Sequence, residues 1–134
     1  MNPKNLSKVK HIYKLYQASD GRVHVEKFHV IYANKDMVYY KVGNILKHQH
    51  NRNIFDSIDS TNVRISEHTL SIGLYLWTEP DLTCDLVKRF RKRVLEKELR
   101  DSRHILELYR RRVAEYESKI DQIKKELEEI NETE

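Results

Sequence analysis

Histidine is the residue type in this chain best suited to metal chemistry, and seven histidines are present. His48 and His50 are separated by one residue, while His24 and His29 lie on a predicted strand. A stable zinc site needs four protein ligands, or three and a water molecule. The sequence shows no further ligands beside either pair of histidines. Two asparagines close to His50 fit part of a His/Asn metal-nuclease centre, but the strand-helix context of such a centre is not visible. We therefore predict no metal site, and binding of a metal by His48 and His50 stays the open alternative.

Basic residues supply the strongest local charge signal. Five cations, which we call the basic segment, fall within residues 88–93: Lys88, Arg89, Arg91, Lys92 and Arg93. They lie directly before a heptad pattern, which is the order in which basic-zipper proteins place a DNA-reading helix and a dimerising helix. The segment lacks the Asn and paired small residues with which that family approaches base edges. A solvated face, or a surface that docks an acidic partner, is the interpretation we favour.

A second candidate for nucleic-acid contact lies near the N-terminus. Lys8, Lys10, Lys14 and Tyr16 share one face of the first predicted strand, where cations beside an aromatic ring would suit nucleotide stacking. Lys10 and Lys14 therefore join the basic segment as candidate nucleic-acid-binding residues. Most of the eight tyrosines are nevertheless better explained by their preference for strands.

Other catalytic patterns are missing from the sequence. Its three glycines form no phosphate-binding loop, and neither a nucleophile elbow nor a close acidic pair is present. We predict a protein that is not an enzyme, with no cofactor and no small-molecule substrate. The single cysteine, Cys84, excludes an internal disulfide and suits a reducing compartment.

The last third of the chain predicts one long helix. No Gly or Pro follows Pro80, and apolar residues recur in alternating steps of three and four, interrupted only by Ser102. These residues form what we call the helix seam: Leu95, Leu99, Leu106, Tyr109, Val113, Tyr116, Ile120, Ile123, Leu127 and Ile130. Because the remaining chain is too short to cover such a stripe, the seam predicts a coiled-coil homodimer.

Charge along this helix bears on how two copies would pair. Residues 88–112 hold eleven Lys or Arg against four Asp or Glu, whereas residues 113–134 hold three against eight. An antiparallel pair would set opposite charges side by side, and we favour it on that ground. A parallel pair of helices stays an open alternative. In that arrangement, two pairs of oppositely charged residues beside the seam would attract each other, while Lys119 and Lys124 would repel each other.

The residues before the helix predict a small antiparallel head. Residues 9–16, 22–32 and 37–42 are expected to form a three-stranded meander with tight turns between them. A change of apolar phase within the second strand predicts a bulge near Glu26 or Lys27. The polar stretch that follows allows no assignment beyond a short helical or extended segment at 54–58.

The junction between head and helix has its own signals. Residues 69–77 alternate strictly and predict a half-buried strand, with Val63 and Ile65 as its hairpin partner. Helix-start signals follow, namely Thr78 as N-cap, then Pro80 in the first turn and Asp81 in a capping box. Four apolar residues spaced by four are expected to pack on the sheet: Leu82, Leu86, Phe90 and Val94. The predicted fold class is α+β, with a β-rich head at residues 1–78 and a coiled-coil helix at residues 79–134.

The chain has 134 residues and a net charge of +4. Neither a signal peptide nor an apolar stretch long enough to span a membrane is evident. We therefore expect a cytoplasmic protein with no membrane partner.

Short strand-turn-strand segments carry a resemblance to known proteins. They are IYKLY at 12–16, DG at 20–21, VIYAN at 30–34 and VYY at 38–40. In style they resemble small accessory proteins encoded by phages and mobile elements of low-GC bacteria, a group that includes anti-CRISPR proteins. The resemblance implies a counter-defence factor acting in the host cytoplasm. Many such proteins are acidic DNA mimics, whereas this head is basic, so inhibition would use a dimeric surface or a contact with guide RNA or DNA.

These observations lead to one functional prediction and its alternative. The chain is predicted to be a non-enzymatic interaction protein, a coiled-coil homodimer that binds a protein or nucleoprotein partner, for example as a phage-encoded inhibitor of a CRISPR-Cas complex. The alternative is a nucleic-acid-binding or regulatory dimer that uses the basic segment. An enzyme built on His48 and His50 ranks third.

Overall fold

The computed structural model describes residues 5–58 and 63–133 of the chain. Its elements are β1 (His11–Gln17), β2 (Val23–Ala33), β3 (Met37–Val42), β4 (Ile45–His50), β5 (Ile54–Phe55), α1 (Glu67–Ile72), β6 (Leu74–Leu76) and α2 (Asp85–Thr133). A single 3-10 turn at Asn51–Asn53 joins β4 to β5. The fold is α+β, with a strand-rich N-terminal part followed by one long helix, as predicted at this level.

The six strands form one mixed sheet in the order β4-β3-β2-β1-β6-β5. Neighbouring strands are antiparallel except for β5 and β6, which are parallel. The predicted meander is present as β1 to β3, and β4 extends it by one strand that the sequence did not predict. Most of β4 is exposed, so its sequence lacks the alternation of a half-buried strand. Gly43, with φ of 60°, makes the tight turn before it.

The bulge in β2 lies later than predicted. Pairing of β1 with β2 runs without a break past Glu26 and Lys27, and the register shifts instead between Val30 and Tyr32. The phase change has another cause. Val25 packs against one hydrophobic core while Phe28 is buried in a second core, so the two ends of β2 bury opposite faces.

Two cores lie on opposite faces of β1. Tyr13 and Leu15 belong to a core completed by β6, the segment around Val63 and the start of α2. Ile12 belongs to the other core, which includes Leu6, Phe28, Val38, Tyr40 and Ile54. Alternation along one strand therefore supplies both cores.

The first turns of α2 pack much as predicted. Leu86, Phe90 and Val94 are buried in the first core. Leu82 is 65% exposed, so its predicted packing is wrong. The helix has not begun at that residue, and its side chain does not share the helical face.

The predicted strand over residues 69–77 is wrong in its first half. Ser66 and Thr69 form a capping box that starts α1, and Gly73, with φ of 92°, follows its last residue. Only Leu74–Leu76 pairs as a strand. Val63 and Ile65 are buried without forming the predicted hairpin strand. Local capping of a short helix outweighed the alternating pattern.

Helix α2 begins at Asp85, six residues after its predicted start. The Thr78 hydroxyl is not an N-cap: it donates to Asp56 Oδ1 at 2.9 Å and accepts from the Ser57 backbone N–H at 2.8 Å. Asp81 accepts from the Thr83 N–H and hydroxyl, in a turn before the helix. The predicted capping groups therefore stabilise a loop.

The chain divides into two compact units, one ending at Leu95 and the other beginning at Glu96. The first contains the sheet, α1 and the first turns of α2, and the second contains only the rest of α2. None of the helices in the described ranges combines the length and apolar character that a membrane span requires.

Candidate interaction surfaces

The helix seam is exposed along its whole length. The exposed fraction of its ten side chains lies between 46% for Ile123 and 64% for Tyr116. Within the second unit, every residue from Glu98 to Thr133 is exposed. The heptad spacing places the seam on one face of the helix, so an apolar stripe faces solvent in the single chain.

Two exposed apolar residues that the sequence analysis did not single out lie beside the seam. Ile105 is 51% exposed and Leu108 is 48% exposed. Ile105 occupies the heptad position that flanks the seam, whereas Leu108 lies outside it. They widen the apolar surface over about one turn, and their spacing of three from each other was the available signal.

Two residues of the basic segment pack against the rest of the chain, and the other three are exposed. Arg89 Nη2 donates to the Val63 carbonyl oxygen at 2.7 Å, and Arg93 Nε donates to the Ile65 carbonyl oxygen at 3.2 Å. Both guanidinium groups are partly buried, and they fix the segment before α1 against the helix. These carbonyl groups lie in a stretch that forms no strand, where the sequence pattern predicts one strand of a hairpin.

The other cations of the segment are exposed. Lys88, Arg91 and Lys92 are on the surface, and Lys92 also interacts within the chain. Arg91 lines a groove of about 500 Å³ beside the β1–β2 turn, together with Arg22 and the apolar Val23 and Leu82. The groove has two arginines over an apolar floor, which suits an acidic group more than a neutral one.

Lys10 and Lys14 do not join the basic segment. Lys14 lies on the face of β1 opposite Tyr13 and Leu15, which pack in the core that contains α2. Its ammonium group is 5.3 Å from the centre of the Tyr16 ring. Lys10 is exposed and lines a separate cavity next to Glu79. The structure thus distributes the predicted nucleic-acid-binding cations over different faces.

The histidines lie mainly at the surface of the sheet. His48 and His50 occupy the same face of β4, and His50 Nδ1 accepts from the Arg52 N–H at 3.2 Å. Within the described ranges, no group of three or more His, Cys, Asp or Glu side chains is placed to hold a metal ion. The Asp20 carboxylate lies 3.0 Å from His24 Nε2. The pKa of this carboxyl is lowered, chiefly by the hydrogen bond from the Arg22 backbone N–H and next by the hydrogen bond with His24.

Comparison with known proteins gives no relative. No protein-family model, no curated protein and no solved structure matches this chain. The resemblance to phage accessory proteins therefore stays a prediction.

Proposed function

We propose that this chain is a non-enzymatic interaction protein that forms a homodimer through the helix seam. The observation that supports this most strongly is the exposure of all ten seam side chains, on a helix whose residues from Glu98 to Thr133 are all exposed. A stripe of this length exposed to water is typical of an interaction surface.

The energetics favour burial of the seam. Each of its side chains is about half exposed, so burial of the remaining surface contributes roughly 1 kcal/mol per residue. Ten residues from each of two chains then offset the cost of association, which is about 4–15 kcal/mol. A second copy supplies an identical stripe of the same length, which no segment of the described chain does.

Charge supports an antiparallel pair. The basic half of α2 in one copy would lie beside the acidic half of the other. Within a single copy, Arg111 pairs with Glu107 along the helix at 3.5 Å.

The proposed interface is tested by replacing Val113 and Ile120 with Asp. The loss of two buried side chains and the burial of carboxylates should cost about 4 kcal/mol or more, which weakens the dimer at least roughly 1,000-fold. Light scattering at graded concentrations should then report a monomer, while circular dichroism reports a folded head.

A matched control places the same charges outside the seam. Ala114→Asp combined with Ser118→Asp alters exposed positions on the same helix and should leave the dimer intact. If both double variants dissociate equally, loss of helicity and not loss of the seam is the cause. A seam double variant that stays dimeric contradicts the proposed interface.

The dimer is proposed to act by binding a macromolecule. Inhibition of a bacterial defence complex is one form of that proposal, and it depends on the sequence resemblance alone. The alternative, nucleic-acid binding by the basic segment, is supported by the exposure of Lys88 and Arg91. Lys88→Glu with Arg91→Glu should abolish a salt-dependent affinity for duplex DNA if the alternative holds.

A further inference from the structure

One face of the sheet carries a row of aromatic rings that neither core uses. We infer that this face binds single-stranded nucleic acid. We call it the outer sheet face and define it by six residues of β2, β3 and β4 that lie opposite the second core: Lys27, His29, Tyr32, Tyr39, Lys41 and His48. It differs from the helix seam and from the basic segment, so the inference goes beyond the proposed dimer.

Three rings cross three adjacent strands. The ring centres of Tyr32 and Tyr39 are 5.7 Å apart, and those of Tyr39 and His48 are 5.9 Å apart. Tyr32 is 59% exposed, His48 is exposed and Tyr39 is half-buried. Rings in this arrangement present their faces and edges to solvent, where unpaired bases can stack on them.

The bulge in β2 brings Tyr32 into this row. Val30 lies against the second core, so regular alternation would direct Tyr32 toward that core as well. The register shift between Val30 and Tyr32 instead pairs Tyr32 with Tyr39. Bulges of this kind redirect a side chain, and here the redirected side chain is a tyrosine that gains exposure instead of burial.

The charge of the face suits a phosphate backbone. Lys27 and His29 are exposed on β2, and Lys41 is exposed on β3. The strands β1 to β4 contain a single acidic residue, Glu26, which pairs with Lys14 on the opposite face. An anionic ligand on the outer sheet face therefore meets no carboxylate from these four strands.

The combination of exposed rings and cations on the outer sheet face indicates a single strand of nucleic acid and not a duplex. Bases in a duplex are already stacked on each other, so an exposed row of rings adds nothing to its binding. Cations without rings would suit any polyanion, and rings without cations would suit an apolar protein surface. Rings and cations that share one face, with no acid among them, match the base and the phosphate of an unpaired nucleotide.

The test is a fluorescence-anisotropy titration of the full chain with a short labelled RNA of mixed sequence. The same strand as DNA and the matching duplex are run beside it, at low and at physiological salt. We expect the single strands to bind and the duplex to bind more weakly. Tyr32→Ala and His48→Ala should each weaken single-strand binding roughly tenfold, while Tyr32→Phe retains it. Lys41→Gln should reduce the dependence on salt.

Tyr16→Ala is the matched control. Tyr16 lies on the opposite face of the sheet, where its ring centre is 6.2 Å from that of His24. Its replacement removes an aromatic ring of the same kind and should leave single-strand affinity unchanged. Thermal unfolding of each variant separates lost binding from lost fold.

Several outcomes would overturn the inference. They are absence of single-strand binding at low salt, equal losses with Tyr16→Ala and Tyr32→Ala, or duplex binding that only the basic-segment variants remove. The seam double variant distinguishes this inference from the proposed dimer, because it should keep the affinity of each chain for a short strand even when the dimer is lost.

Discussion

The two partly buried arginines of the basic segment show how a residue type can mislead when its neighbours are unknown. Arg89 and Arg93 fit a DNA-contacting segment by sequence, yet each donates to a backbone carbonyl of the segment before α1. Guanidinium groups suit this role, because they satisfy acceptors in a stretch that has no strand partner. The cations that best retain an interaction role are therefore Lys88 and Arg91.

The first residue-scale prediction concerns stability. Arg89→Ala removes the donor to the Val63 carbonyl and should lower the free energy of unfolding by about 1–2 kcal/mol, because it leaves a partly buried acceptor unpaired. The exposed neighbour offers the control, since Lys88→Ala should cost less than about 0.5 kcal/mol. Urea denaturation of both variants measures the difference, and equal losses would contradict the role assigned to Arg89.

A second residue-scale prediction uses two glycines with positive φ. A Cβ at Gly73 would lie 2.7 Å from Lys14 Cε and 3.3 Å from the Leu15 carbonyl oxygen, whereas a Cβ at Gly43 would meet nothing within 4 Å. Gly43→Ala should cost about 1–2 kcal/mol from backbone strain alone. Gly73→Ala should cost more, because a side chain and a backbone must also shift. Denaturation midpoints that rank the two variants in the reverse order would contradict this account.

At the scale of elements, the long helix allows its pairing direction to be measured. Ser102 occupies a seam position, so in a parallel pair two copies of residue 102 face each other at a distance that suits a disulfide. In an antiparallel pair, residue 102 faces the other half of the partner helix. With Cys84 replaced by Ser, Ser102→Cys should therefore form no more cross-linked dimer on oxidation than Ser118→Cys, which lies outside the seam. Rapid cross-linking through residue 102 alone would establish the parallel pair.

The elements differ in how well sequence predicted them, for physical reasons. Strands β1 to β3 and α2 have strong periodic patterns, and they lie close to where those patterns place them. Strand β4 is exposed on both faces and has no pattern to detect. Helix α1 was predicted as a strand, because Leu70, Ile72 and Leu74 alternate while the deciding signal is the local cap at Ser66.

The candidate surfaces show the same division. Heptad spacing predicts the helix seam, since its period follows directly from helix geometry, and the structure shows that these residues are exposed. The outer sheet face could not be located in the same way, because it depends on a register shift between Val30 and Tyr32 and on an edge strand without a signal. The spacing of residues along one strand does not reveal which aromatic rings come together across three adjacent strands.

For the whole molecule, we propose that the chain self-associates. The chain divides into a strand-rich unit with two cores and a helical unit that is exposed at every residue from Glu98 to Thr133. The first unit supplies candidate binding faces, and the second supplies a stripe that a second copy would cover. Two linked copies of a binding face raise the apparent affinity for a partner that spans both, which gives the dimer a functional consequence.

Self-association is measured by sedimentation equilibrium of the unmodified chain over a range of concentrations. We expect a mass of twice the 16.2 kDa of one chain at micromolar concentration, falling toward one chain only on strong dilution. A mass of a single chain that persists at high micromolar concentration would contradict the proposed dimer and leave the helix seam without the partner assigned to it.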